Sequence, residues 1–360
     1  MPTIEINLEQ EKEKLLELRG KHERLVHTLK IGSMAELGSQ KRTTVLDTDD
    51  LRLYKYHQTD SVKKEALLIV YALVNRPDIV DLQEDRSLIK GLIEEGFDVF
   101  LVEWKEPCSS EKDRGLDDYI AEYLDNCVDT VLMDTNADKV NLFGICQGGT
   151  FCLAYAALKP ENVRRLIITV TPVDFKGFDH PLSRLVEHMD LDLLARTYND
   201  IPGEFLNAIF LSLKPYSLMH QKYLNLINAA EETNRLQMFS RMERWIFDSP
   251  QIAGRVFREF GQRFYQENSL VCGNLSIGGN MVDLANLTMP ILNIYAAEDH
   301  IVPTESSQAL AQLLSSTYNY TEHELPGGHI GIYLSENRST SVPRIVGEWC
   351  SRAKRVSRRK

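Results

Sequence analysis

No stretch of the chain approaches the roughly 18 consecutive apolar residues that a membrane-spanning helix needs, so no membrane span is expected. A surplus of basic charge is missing too. Against 41 lysines and arginines stand 52 aspartates and glutamates, a formal net charge of -11. That excludes a general nucleic-acid binder, because nothing is left over to neutralise phosphates; a local basic pocket stays compatible with it. Cysteine is sparse: Cys108, Cys127, Cys146, Cys152, Cys272 and Cys350 show neither metal-ligand spacing nor the framework of a small secreted domain. Reduced thiols and no metal or other cofactor are therefore expected. The opening "MPTIEINLEQEKEKLLELRGKHERLVHTLK" has no basic cap followed by an apolar run, so the expectation is a soluble, cytoplasmic protein. Internal repeats and low-complexity segments are absent as well.

What is present is ordinary globular material. With 43% hydrophobic and 26% charged residues over 360 positions, the chain can bury a large core. One elaborated domain, or a domain with an insertion, is expected. Residues 1–45 form an N-terminal segment in which Leu15, Leu18, Leu25 and Leu29 predict an amphipathic helix interrupted near Gly20, able to pack on the body or to meet a partner. Over 46–174 the pattern alternates. "LRLYKYH" predicts an edge strand, "EALLIVYALV" a strand covered on both faces, "DLQEDRSLIKGLIEEG" a helix and "FDVFLVEW" a strand. A helix striped with Leu116, Tyr119, Ile120, Tyr123, Leu124, Cys127, Val128, Val131 and Leu132 follows, then strand "KVNLFGI", helix "GGTFCLAYAALKP" and strand "RRLIITVTPV". Such alternation predicts an α/β fold, a mostly parallel sheet with helices on both faces.

From 175 to 285 the alternation gives way to long helical segments closed by a hairpin through the Gly-Gly of "NLSIGGNMVDL", which predicts a cap (lid) over one end of the sheet. Sheet geometry returns over 286–352, with "MPILNIYAAEDH" and "YTEHELPGGHIGIY"; residues 353–360 make a basic tail, a solvated end.

One turn carries chemistry. Gly144-Ile145-Cys146-Gln147-Gly148 follows an apolar strand and opens a helix, the context in which a nucleophile sits on a sharp turn between residues small enough for strand and helix to meet. Cys146 is the expected nucleophile, and the helix N-terminus favours a thiolate there. Cys127 and Cys152 fall on helix faces and are expected in the core. The partners of such a nucleophile follow on loops after later strands, acid first and then histidine. Asp299 after "ILNIYAA" and His329 after "LPGG" meet that order, with Glu298 a weaker rival for the acid and His300 for the base. An oxyanion hole is expected from the backbone N–H of Gln147 and a second N–H at Val74 or Asn75. A cysteine acyl-enzyme is itself a thioester, so attack on an acyl-CoA keeps the acyl group activated for transfer to a hydroxyl, provided that water is kept out.

Taken together, "LLIVYALVNRP", "DLQEDRSLIKGL", "VNLFGICQGGTFCLAYAAL", "VTPVDF", "RWIFDSP" and "LPGGHIGIY" resemble the catalytic subunit of class III polyhydroxyalkanoate synthases, members of the α/β-hydrolase superfamily, over about residues 50 to 350. The resemblance implies polymerisation of (R)-3-hydroxyacyl-CoA, usually 3-hydroxybutyryl-CoA, onto a growing polyester chain with release of CoA, and it assigns Cys146, Asp299 and His329 as nucleophile, acid and base. It further implies a separate non-catalytic partner subunit, a homodimer or hetero-oligomer, and residence at the surface of cytoplasmic polyester granules. Glu103 stands where family members usually have aspartate before the tryptophan. Two other functions compete: a cysteine-dependent α/β-hydrolase similar to dienelactone hydrolase or an acyl-CoA thioesterase, and an inactive granule-associated scaffold.

Overall fold

The computed structural model describes residues 38–56, 65–107, 113–213, 233–334 and 341–357. The predicted N-terminal helix over 8–31, and Cys108, lie outside the described residues. Eight strands make one sheet: β1 (Arg42–Asp47), β2 (Leu51–Tyr56), β3 (Glu65–Val70), β4 (Phe97–Trp104), β5 (Val140–Ile145), β6 (Val163–Thr169), β7 (Ile291–Ala296) and β8 (Tyr320–Leu325). They run in the order β1-β2-β4-β3-β5-β6-β7-β8. Antiparallel pairing is confined to β1 with β2 and β2 with β4; every other pair is parallel. The interior strands β5 and β7 are buried at every position, as mainly apolar strands covered on both faces are, and their asparagine side chains, Asn141 and Asn293, donate to Ala66 O (2.8 Å) and Ser307 O (2.9 Å).

Side chains alternate between two cores. Leu68, Val70, Leu142 and Leu166 point to one, while Leu67, Ile69, Phe143 and Ile167 point to the other. The first is closed by α2 (Leu124–Thr135), entered through a π-helical turn at Asp118–Tyr123, and by α3 (Gln147–Leu158). The second is closed by α1 (Leu88–Glu94) and α10 (Val342–Ser357). The apolar stripe from Leu116 to Val131 is buried as its spacing predicts, with Cys127 and Cys152 inside the core and their thiols pushed up by burial.

Three expectations shift. β2 is not the edge, because β1 adds outside it; the polar run "RTTVLD" has no apolar alternation to announce a strand, and its largely exposed side chains explain why. The strand expected over 65–74 stops at Val70, where the chain leaves the sheet and Tyr71 O accepts from Trp104 Nε1 (2.9 Å). The helix expected from Asp81 begins only at Leu88. Ser87 caps it by accepting from Lys90 N–H (3.0 Å), while Asp81–Gln83 pairs with Arg86–Ser87 in a small hairpin and the buried Asp81 carboxylate holds Ser39 and Gln40.

Between β6 and β7 the insertion supplies α4 (Pro181–Glu187), α5 (Leu191–Tyr198), α6 (Gly203–Leu213), α7 (Thr233–Phe247) and α8 (Gly254–Phe260), the last prolonged by a π-helical turn through Gln266. The Gly-Gly hairpin forms as expected, with Gly278 and Gly279 at φ 57° and 77° and Ser276–Ile277 paired with Asn280–Met281. α8 is anchored to the body. Glu259, 7% exposed, accepts from Leu116 N–H (2.7 Å) and from Arg255 Nε (2.7 Å), and Phe260 and Phe264 stack at 4.6 Å. After β7 comes the short α9 (Thr304–Gln308). Glu259→Ala strands the buried Leu116 N–H and takes one partner from Arg255, which keeps Asp113 O (2.9 Å), so urea unfolding should show a loss of about 1–3 kcal/mol. Wild-type stability in that variant would mean that the aromatic stack alone holds the cap base.

Candidate active site

The chain reaches Cys146 at the end of β5 and reverses there into α3. Its backbone sits at φ 54°, ψ -126°, a conformation that costs a non-glycine residue about 1–3 kcal/mol and persists only when its surroundings enforce it. Two hydrogen bonds enforce it here: Cys146 N–H donates to Thr169 O on β6 (2.9 Å), and Cys146 O accepts from Gly149 N–H (2.9 Å). The flanking glycines are sterically required. A Cβ on Gly144 would collide with the Gly149 backbone, and one on Gly148 with the Val70 carbonyl. Gly149 is a third requirement, unforeseen in the sequence, because it lies against the Thr171 side chain. The doubled glycine of "QGG" was the available signal.

Gln147 opens α3 beside Cys146, and its side chain does more than expected. Its Oε1 accepts from Leu73 N–H (3.0 Å), tying the helix start to the loop after β3. That loop brings Val74 and Asn75 beside Cys146, with Asn75 in the left-handed region at φ 62°.

Asp299 and His329 arrive on the loops after β7 and β8, as their chain positions predict. His329 Nδ1 lies 2.7 Å from Asp299 Oδ2, and both side chains are buried, at 7% and 0% exposure. The other carboxylate oxygen of Asp299 accepts from Ile301 N–H (2.8 Å) and Val302 N–H (3.0 Å). Burial alone would raise the Asp299 pKa; the charge and hydrogen bond of His329, with these two N–H groups, bring it below the ordinary carboxylate value. Burial likewise disfavours a charged His329, yet the Asp299 carboxylate, and then the Cys146 sulfur, outweigh it and lift the imidazole to about 10. The bond at Nδ1 leaves Nε2 as the nitrogen open to Cys146. Of the rivals, Glu298 is exposed, and His300 gives its carbonyl to His180 Nε2 (3.0 Å) while lining the same cavity as His329.

Cys146 stands at the junction of two cavities. The larger, about 310 Å³, runs beside His329 under Met242, Trp245 and Ile246 of α7. The smaller, about 110 Å³, lies under Leu182, Leu191, Phe257 and Tyr265 of the other cap helices. Phe210, Val74 and Ile301 border both. Cap side chains thus roof the site with apolar surface. A separate cavity of about 360 Å³ lies at Glu84–Leu88 and Arg344, without Cys146 in its wall. Among the described residues no three His, Cys, Asp or Glu side chains gather as a metal site, and no helix is long and apolar enough to cross a membrane. No spacing or motif announces that Tyr333 OH meets Thr169 Oγ1 (2.5 Å) behind the elbow, or that Ser249 reaches Asn75.

Residues 65–336 match the family described as alpha/beta hydrolase fold. Among solved structures, the chain is similar to a hydrolase from Pseudomonas aeruginosa (TM-score 0.52, 13% identity, 88% of this chain and 98% of that one) and to a monoacylglycerol lipase from Paleococcus ferrophilus (TM-score 0.52, 16% identity, 83% and 97%). At such identities the likeness is one of fold. Closer in sequence are proteins named poly(3-hydroxyalkanoate) polymerase subunit PhaC. That of Allochromatium vinosum is 48% identical over 317 residues, 87% of this chain and 89% of its own. The Thiocystis violacea protein is 44% identical over 351 residues, 97% and 99%, and the Synechocystis protein 42% over 323, 88% and 85%. With near full-length identity at this level and the same fold beneath it, the chain belongs to the poly(3-hydroxyalkanoate) polymerase subunit PhaC family, acyltransferases on an α/β-hydrolase fold.

Proposed function

We propose that this enzyme polymerises (R)-3-hydroxyacyl-CoA, with 3-hydroxybutyryl-CoA the first substrate to test, through an acyl thioester on Cys146. The observation that carries the proposal is the cysteine itself: a strained elbow thiol beside a buried Asp299–His329 pair under an apolar roof. In the first step His329 takes the Cys146 thiol proton as Sγ attacks the thioester carbonyl, and the oxyanion is met by the N–H of Gln147 and that of Val74 or Asn75. The carbonyl re-forms, the C–S bond to CoA breaks, and the CoA sulfur leaves with a proton from His329. In the second step a 3-hydroxyl attacks the Cys146 thioester. His329 takes the hydroxyl proton, Asp299 stabilises the imidazolium, and an ester forms as the C–S bond to Cys146 breaks and its sulfur receives that proton from His329. The first step exchanges one thioester for another at nearly equal energy; the second is downhill. Water would end the cycle as a free acid, and the apolar walls keep it out.

The family and the apolar site support the wider setting: a growing polyester chain as second substrate, a non-catalytic partner subunit, assembly as a homodimer or hetero-oligomer, and a place at the surface of cytoplasmic granules. Incubation with 3-hydroxybutyryl-CoA, with and without a candidate partner subunit, followed by sizing of the product, tests the function. Polymer is expected; free 3-hydroxybutyrate would make the enzyme a hydrolase, and no product a scaffold.

Cys146→Ser should keep less than about a tenth of the polymerisation rate, since a hydroxyl attacks poorly and leaves a less reactive oxyester; a smaller loss, under about 1.4 kcal/mol of barrier, would remove Cys146 as nucleophile. Asp299→Asn should divide the two steps. A thiol paired with His329 needs little help to be acylated, whereas the weakly acidic 3-hydroxyl needs a strong base. Rapid-quench assays should therefore show a first burst of CoA close to one per site, followed by elongation slower by about tenfold or more. Equal losses in burst and elongation would mean that Asp299 serves both steps alike.

A further inference from the structure

The loop that carries Val74 and Asn75 is gripped by the cap. Asn75 holds a left-handed backbone at φ 62°, which asparagine tolerates better than most side chains but which still needs support. Its support comes from 174 residues away. The Ser249 hydroxyl, just beyond α7, donates to Asn75 Oδ1, and it also lies 3.1 Å from Asn207 Oδ1 and 3.1 Å from Ile246 O. Asn207, on α6 and 7% exposed, donates from Nδ2 to Ile246 O (2.6 Å). The next residue along the loop is gripped as well: Trp245 Nε1 donates to Arg76 O (2.6 Å), and Arg76 Nε pairs with Asp248 (3.1 Å). On the other side of Val74, Leu73 N–H is fixed by the Gln147 side chain. Val74 and Asn75 are therefore held between an elbow contact that belongs to the core and a set of contacts that belongs to the cap.

From this juxtaposition we infer that Ser249 and the Asn75 side chain are positioning residues that couple cap closure to the oxyanion hole: the second N–H donor is aligned only while Ser249 of the closed cap holds Asn75. The inference rests on the oxyanion role proposed above for Val74 or Asn75. Its physical basis is that an oxyanion donor acts through preorganisation, so a displacement of a fraction of an ångström weakens it in the transition state while leaving ground-state binding unchanged. Both chemical steps pass through an oxyanion, so both would respond together. An open cap would hold substrate without activating it, and closure over the acyl group would exclude water and complete the hole in one movement.

The test uses the full-length enzyme and four variants: Ser249→Ala, which removes the donor; Ser249→Thr, which keeps it; Asn75→Gly, which removes the acceptor while preserving access to positive φ; and the Ser249→Ala/Asn75→Gly pair. The burst rate of CoA release, the elongation rate and KM are measured for each, beside urea unfolding to establish the folded fraction. Ser249→Ala and Asn75→Gly should each slow burst and elongation by the same factor, about tenfold or more, with KM unchanged. Ser249→Thr should recover the rate, and the double variant should be no slower than the slower single one. Wild-type burst rates in folded Ser249→Ala, an effect on KM alone, or losses that multiply in the double variant would each overturn the coupling. A wild-type enzyme with no CoA burst, or an active Cys146→Ser, would instead overturn the thioester mechanism and the coupling with it; a normal wild-type burst matched by the variants removes the coupling alone.

Discussion

The backbone turn at Cys146 is the constraint around which the site is built. A thiol can stand clear of both strand and helix only if the chain reverses within one residue, and at φ 54°, ψ -126° that residue is strained. The reversal is possible because three neighbours have no side chain: Gly144 and Gly149 meet backbone to side of backbone, and Gly148 lies on the carbonyl end of β3. β5 and β3 are parallel neighbours, so the turn brings the start of α3 and the loop after β3 to the same point. That closeness lets Gln147 hold Leu73 and places Val74 beside the sulfur.

Around this fixed point the chemistry is arranged by polarity. Charge is confined to the Asp299–His329 pair, whose carboxylate is satisfied by His329 and two backbone N–H groups. The remaining walls of the two cavities are largely apolar and are shared between the cap, with Phe210 and Trp245, and the core loops, with Val74 and Ile301. A low-dielectric site strengthens the pairing of carboxylate and imidazolium, and in the proposed mechanism the same apolar walls would protect an activated acyl group. The described part of the cap is tied to the body. Its α8 base is pinned to the body through Glu259, while Ser249, Trp245 and Asp248 reach the loop beside the thiol.

How much of this could be read in advance follows from the range of the interactions. The elbow is local, a strand, a turn and a helix within about twenty residues, and its glycines and apolar strand announce it. Asp299 and His329 were legible because parallel strands put the loops at their carboxyl ends on one rim, so order along the chain was enough. β1 was missed because an exposed edge strand has no buried face to impose alternation. The hairpin at Asp81–Ser87 is hidden in the sequence because its polar residues carry no period, and what fixes it is Asp81 reaching back to Ser39 and Gln40. Contacts across the cap, such as Ser249 with Asn75, join positions whose separation in sequence is set by the insertion and not by any repeat, so composition and spacing cannot reveal them.

The central claim is that the growing acyl group passes through Cys146. Mass analysis of peptides from the wild-type enzyme, acid-quenched in its first turnovers with 3-hydroxybutyryl-CoA, tests this most directly. A 3-hydroxybutyryl adduct is expected on the peptide bearing Cys146 and not on the exposed Cys272, and it should disappear, together with polymer formation, after prior alkylation of Cys146. Polymer accumulating without that adduct, or an acyl group carried by another side chain, would contradict the account.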